Sequence, residues 1–385
     1  MAERLIYLDH AATTPMRHDA VAAMTPYLTE VFANPSGSHR FARRARQAVD
    51  ESRETIASII GCDLGEIVFT SCGTESDNMA VRGADESRVG SPVCIATEHH
   101  AVLHTVERFG GRVVRVTSAG DVDLDHLTTV LSEGPVSSVS VMAVNNETGV
   151  ITDLAAVSRI VRRLAPRAIL HTDAVQAACW IDLRTIWPLV DTLALSAHKF
   201  GGPKGVGVLA VRSGSDLSPL ILGGGQERDR RSGTHNVAGI VATAVALQQT
   251  DHDRPAESQR IEAIRRDLFA GLETVDGLRR TVAATSSVPG VAHLCIPGVE
   301  SEALLYLLDE QGVCASSASA CASGAMEPSH VLAAMGVPTE LARGSLRLSF
   351  GHTTSPDDVR VAADVIVAAV ERVRSATRRL GTPRV

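Results

Sequence analysis

From Glu66 to Arg212 short apolar runs alternate with amphipathic stretches, and this pattern limits the folds open to the chain more than any other. The runs are 67–70, 93–97, 112–116, 139–144, 168–171, 192–195 and 206–211. Many are β-branched and almost continuously apolar, which suits strands buried on both faces. Between two of them, residues 154–164 carry apolar side chains at helical spacing. A long helix is expected earlier, over 41–60, with Gly61 ending it. Alternation of this kind predicts an α/β domain with a mainly parallel, seven-stranded sheet.

The polar stretch 249–256, which contains Pro255, reads as a domain junction. Beyond it, helices are expected at 257–274, 301–310, 328–334 and 356–374, and strands at 292–296 and 345–349. This mixture indicates a smaller α+β domain. A chain of 385 residues is long for one core, so two domains are expected: 16–250, and 1–15 together with 256–385.

Polar or glycine-rich clusters follow the predicted strands of the large domain. They are Thr70-Ser71-Cys72-Gly73-Thr74-Glu75-Ser76, Glu98-His99-His100, Asn145-Asn146-Glu147-Thr148-Gly149, Asp173-Ala174-Val175-Gln176 and Ser196-Ala197-His198-Lys199. The carboxyl ends of parallel strands share one edge of the sheet, and ligands bind there. Five separate motifs are therefore expected to converge on one site.

The last motif holds the chain's rarest cation. Of 37 lysines and arginines only Lys199 and Lys204 are lysine. Arginine replaces lysine for surface charge, but it stays protonated and cannot act as an amine nucleophile. A GC-rich genome would explain the scarcity, but not two lysines clustered beside a histidine in a glycine-rich turn. Lys199 fits a Schiff-base lysine of the kind that holds pyridoxal phosphate (PLP). The other motifs match that cofactor. Gly73 and Thr74 open a predicted helix whose free N–H groups suit a phosphate, and Ser196 and His198 add donors. Asp173 supplies a carboxylate for a pyridinium nitrogen. Gln176 is placed for the ring oxygen, and His99 for stacking and proton transfer.

Bulk properties exclude other classes. A net charge of −7 argues against general nucleic-acid binding. Neither a signal peptide nor a membrane-spanning run is evident, so a cytoplasmic protein without direct nucleic-acid or membrane contact is expected. Seven scattered cysteines without C-x-x-C pairs fit free thiols in a reducing compartment. Six read as small packed residues, Cys314 among them. Cys321 sits in a run of small residues with few apolar anchors and reads as a surface-loop thiol. His100 and His104 have i,i+4 spacing, but with no H-E-x-x-H and no evident third ligand no metal is expected.

Taken together these segments resemble the cysteine desulfurases, PLP enzymes of fold type I within the class V aminotransferase group. The resemblance runs from Tyr7-Leu8-Asp9-His10-Ala11-Ala12-Thr13-Thr14-Pro15 to the 343–351 region. It also includes Asn34-Pro35-Ser36-Gly37-Ser38-His39 and Arg231-Ser232-Gly233-Thr234. The stretch Ser316-Ser317-Ala318-Ser319-Ala320-Cys321-Ala322-Ser323-Gly324 is similar to the active-cysteine loop of the first group, used in nitrogenase maturation and iron–sulfur assembly, though Ala318 stands where glycine is common. The resemblance implies that Lys199 bears PLP and shuttles protons, and that His99 stacks on the ring. Asp173 and Gln176 would hold the ring, and Thr74, Ser196 and His198 the phosphate. Thr234 would reach the phosphate of a partner subunit, which implies a homodimer. Arg347 would bind the substrate carboxylate, assisted by Asn146 and Asn34. Cys321 would take sulfur from L-cysteine as a persulfide, releasing alanine, and pass it to a sulfur-acceptor protein. Iron–sulfur assembly, tRNA thiolation and DNA phosphorothioation all use such donors. The alternatives are selenocysteine lyase or another class V PLP enzyme, and a non-enzymatic sulfur-relay scaffold.

Overall fold

Seven strands build one sheet: β1 (Ile67–Thr70), β2 (Ser91–Ile95), β3 (Arg112–Val114), β4 (Val136–Ser140), β5 (Ile169–Asp173), β6 (Thr192–Ser196) and β7 (Gly207–Val211). A computed structural model describes residues 5–317 and 329–380. The strand order is β1-β7-β6-β5-β4-β2-β3. Strands β3, β2, β4, β5 and β6 pair in parallel, whereas β7 runs antiparallel to both β6 and β1. The reversal has a local cause. Only a short turn, 197–206, joins β6 to β7, and a connection that short can join only antiparallel neighbours. That turn carries Lys199 and leaves it at the carboxyl edge of β6.

Most expected strands differ from the observed ones by a residue or two at their ends. The run at 139–144 is the exception, because the strand is Val136–Ser140. Ser137, Ser138 and Ser140 are completely buried in it, and such small hydroxyls hide a core strand from a reading based on hydrophobicity. The backbone continues to pair beyond the strand. Val141 N–H donates to His171 O (3.0 Å) and Ala143 N–H to Asp173 O (2.9 Å).

The helices over Arg40–Ile60 and Leu154–Leu164 form as their patterns require. Gly61 ends the first at φ 83°, a left-handed conformation that glycine adopts without steric cost. The polar stretch 249–256 is helical rather than an open linker. It lies inside one helix, Val237–Gly271, which carries Pro255 in its interior. Its polar residues are paired: Arg254 with Asp251 inside the helix (2.8 Å), Arg184 with Asp251 (2.9 Å) and Arg17 with Asp253 (2.8 Å) from other segments.

That helix serves two apolar clusters. Its first half packs Ile240, Ala244 and Leu247 into the core under the large sheet. Its second half packs Ile261, Ile264 and Leu268 against a three-stranded antiparallel sheet, Arg279–Arg280, Val291–Cys295 and Ser345–Ser349. The N-terminal Ile6 and Leu8 belong to this second cluster, and Ile6–Tyr7 pairs in parallel with Val313–Cys314. Among the described residues no helix is long and apolar enough to cross a membrane.

One buried ion pair holds a strained turn. Glu227, Arg228 and Asp229 all have positive φ (49°, 58° and 63°), unfavourable for residues with a Cβ. Glu227 accepts from both Arg53 terminal nitrogens (2.8 and 2.7 Å), from Phe69 N–H (2.9 Å) and from His235 (2.6 Å). Burial alone would raise its carboxyl, but these donors pull it down to about 2. Glu227→Ala leaves the buried Arg53 without its counter-charge and should cost about 3–5 kcal/mol in urea denaturation.

Candidate active site

The carboxyl edge of the large sheet faces the second cluster across a cavity of about 450 Å³. All five strand-end motifs reach it, through Cys72-Gly73-Thr74, His99-His100, Asn146-Glu147, Asp173 with Gln176, and Ser196 with His198 and Lys199. Arg347 enters from the small antiparallel sheet. Of the expected site residues, Asn34 and Thr234 are not brought there by this chain. Both are exposed in loops, and Asn34 Oδ1 accepts the Ser36 N–H (3.0 Å). Cys321 lies outside the described residues. The described residues flanking its segment, Ser316 and His330, both line the cavity.

Lys199 Nζ donates to the carbonyls of Ala11 (2.6 Å) and Ala12 (2.8 Å). Burial and the nearby Arg347 lower its ammonium to about 8, against the opposing pull of Asp173 and Asp9. Asp173 ends β5 and accepts the Val175 N–H (2.8 Å). Burial, with Asp77 close by, raises its carboxyl to about 7. A buried carboxylate whose charge is disfavoured is completed by a cationic partner. His99 caps the helix His100–Arg108, its Nδ1 accepting the Ala101 N–H (3.1 Å). That bond puts the proton of the neutral ring on Nε2. Burial, opposed by Asp173 and reinforced by Lys199, His100 and His330, lowers the proton affinity of the ring.

The opposite end of the cavity is built for an anion. Gly73 begins the helix Gly73–Ser87, and no side chain caps its first turn. A Cβ on Gly73 would lie 2.8 Å from Val175 Cγ2 and 3.3 Å from Ser196 Cβ, so only glycine lets the turn close. Ser196 is 2% exposed, and its Oγ has no hydrogen-bond partner. Buried hydroxyls are normally paired, so this one points to a missing acceptor. His198 turns its Nδ1 to Thr13 Oγ (3.0 Å), and Gln176 donates from Nε2 to Ala11 O (2.9 Å). An uncapped helix start, an orphan hydroxyl, a buried carboxylate and a depressed lysine fit the phosphate, pyridinium and aldehyde ends of PLP.

Several site residues escape a sequence reading. Asp9 binds Arg347 Nη2 (2.8 Å), while Arg347 Nη1 donates to Asn146 O (3.0 Å) and its buried Nε has no partner. The pair Asp9-His10 is visible in the sequence, but nothing in it shows that Arg347 lies beside Asp9. In the cavity wall, Asp77 sits 3.3 Å from His171 Nε2, and burial raises its carboxyl to about 8. Glu147 accepts a short bond from Ser329, and burial raises it to about 7. His100 and His104 stack on one another (4.6 Å). Among the described residues no group of three His, Cys, Asp or Glu is arranged to hold a metal ion.

The family pattern for Aminotransferase class-V matches residues 6–361. The chain belongs to the class-V aminotransferase family. Among curated members of that family, the cysteine desulfurase IscS of Dictyoglomus turgidum is 39% identical over 382 residues, covering 97% of this chain and 96% of the relative. Among solved structures of this PLP-dependent fold, a NifS-like protein superposes with a TM-score of 0.86 at 32% identity, covering 97% of this chain and all of that one. The structure described as SspA in complex with cysteine gives 0.77 at 30% identity, over 89% and 98% of the two chains. The class-V fold type expected from the sequence is thus the one observed.

Proposed function

We infer that this protein is a PLP-dependent cysteine desulfurase, which converts L-cysteine to L-alanine and moves the sulfur to a protein thiol. One observation carries the reading. A single cavity gathers a depressed amine (Lys199), a buried carboxylate (Asp173) and a guanidinium (Arg347), and its wall includes the residues on both sides of the Cys321 segment.

Residues 73–74, Ser196 and His198 hold the cofactor's phosphate, Asp173 and Gln176 hold its ring, and Lys199 holds its aldehyde carbon. Bound PLP supplies an electron sink for the carbanion formed at the substrate Cα. Arg347 binds the substrate carboxylate, using donors beyond those already committed to Asp9 and Asn146. Lys199 Nζ removes and returns protons at the substrate carbons. His99, with its proton on Nε2, provides a neutral donor at the ring. The Cys321 thiolate attacks the substrate sulfur. The new S–S bond forms as the Cβ–S bond breaks, and the electrons left on Cβ take up a proton to become the methyl of alanine. L-cysteine and Cys321–SH thus yield L-alanine and Cys321–SSH.

The persulfide is passed to a sulfur-acceptor protein. The enzyme works as a cytoplasmic homodimer in which Thr234, exposed on this chain, completes the phosphate site of the partner subunit. Residues 16–250 form the large domain, and 1–15 with 256–385 the small one. The test is alanine formation by the purified PLP-loaded protein from L-cysteine, from selenocysteine, and from an amino donor with a keto acid. Cysteine should give alanine with sulfur recovered on Cys321. Turnover of selenocysteine alone, or of the keto acid, overturns this reading.

A further inference from the structure

The cavity contains a thiol that the proposed reaction does not use. Among the described cysteines only Cys72 lines it. Of the others, Cys94 and Cys295 are buried, and Cys62, Cys179 and Cys314 are half-buried away from this cavity. Burial pushes Cys62 up to about 12 and Cys179 up to about 11, and it raises Cys94, Cys295 and Cys314 as well. Cys72 is half-buried, and its side chain makes no capping bond to the helix it precedes.

The backbone under Cys72 is held on two sides. Its carbonyl accepts from Ser76 N–H (3.2 Å), Ser76 Oγ (3.2 Å) and Thr70 Oγ (3.2 Å). Behind it, a Cβ on Gly207 would come within 2.5 Å of the Cys72 carbonyl carbon and oxygen, so β7 is already pressed against the turn. A group added to Cys72 Sγ therefore cannot be accommodated by moving the main chain. Cys72 lines the cavity beside Gly73 and Thr74, so a group added to its Sγ takes up space in front of them. A second, independent observation marks that space as a ligand site. Ser196, on β6, is 2% exposed and lines the same cavity with an unpartnered Oγ.

We propose that Cys72 is a modifiable thiol that controls cofactor loading: free, it leaves the phosphate cradle open, and carrying an added group, it closes the cradle to PLP. The proposal rests on the reading of the cavity as a PLP site. The modifying agents are small oxidants and thiol-directed electrophiles. With hydrogen peroxide, the O–O bond breaks, a Cys72 S–O bond forms, the sulfur loses two electrons, and water leaves, giving the sulfenic acid. Bound phosphate covers the thiol, so loaded protein is protected and stripped protein is sensitive.

The experiment uses full-length protein carrying Cys321→Ser, so that Cys321 does not react, with and without Cys72→Ser. Each is stripped of PLP, treated with N-ethylmaleimide or hydrogen peroxide, mapped by peptide mass and titrated with PLP by absorbance. In the stripped single variant the label should fall on Cys72 and PLP affinity should drop about tenfold or more, while loaded protein should label about tenfold more slowly. The double variant should bind PLP equally well before and after treatment. Label that misses Cys72, or modified Cys72 with unchanged PLP affinity, overturns the switch while leaving the functional reading standing. Stripped protein that takes up no PLP before any treatment overturns the functional reading and the switch with it.

Discussion

Lys199→Ala should lower alanine formation from cysteine by about 10⁴-fold or more, because it removes both the covalent anchor and the proton carrier. Two measurements accompany the rate. Borohydride fixes PLP to residue 199 of the parent protein, as peptide mapping will show, and fixes none to the variant. PLP affinity falls less than the rate does, since the helix start at Gly73, Ser196 and Asp173 remain. The same amine sets the pH dependence of loading. An ammonium cannot attack an aldehyde, so uptake of PLP by stripped protein should rise with pH as the amine loses its proton. Burial and Arg347 bring that point down to about 8 from the usual 10.5, so uptake should level off above it. A rise that continues to the ordinary lysine range would contradict the burial seen here.

Cys321→Ser should bring persulfide formation to zero within detection while leaving the PLP absorbance band in place. A hydroxyl is a far poorer nucleophile toward sulfur than a thiolate, so alanine release should fall by about 10³-fold or more. The band separates loss of the acceptor from loss of the site. Alanine release at the parental rate would remove Cys321 from the mechanism. Mass mapping of the parent protein after one turnover should find the extra sulfur on Cys321 and not on Cys72.

Much of the fold could be read from periodicity. Leu154–Leu164, Ser301–Glu310 and Ser345–Ser349 form where their patterns place them, because each buries one apolar face or run. Two elements with unexpected bounds share a cause. β4 is made largely of serine, and the helix Val237–Gly271 passes through a polar, proline-containing stretch. In both, packing and pairing with distant residues outweigh local composition. Arg17, Arg184 and Arg254 make the polar stretch 249–256 a paired helix surface.

The site divides in the same way. Residue order alone announced Gly73, His99, Asp173 and Lys199, since a parallel sheet must bring its strand ends to one edge. It could not announce the pairing of Asp9 with Arg347, separated by 338 positions, nor the burial of Asp77 and His171 behind Asp173. Strand periodicity is a short-range property carried by neighbouring side chains. Which charges meet in a dry cavity, and how far their proton affinities move, depends on contacts made only once both cores have packed.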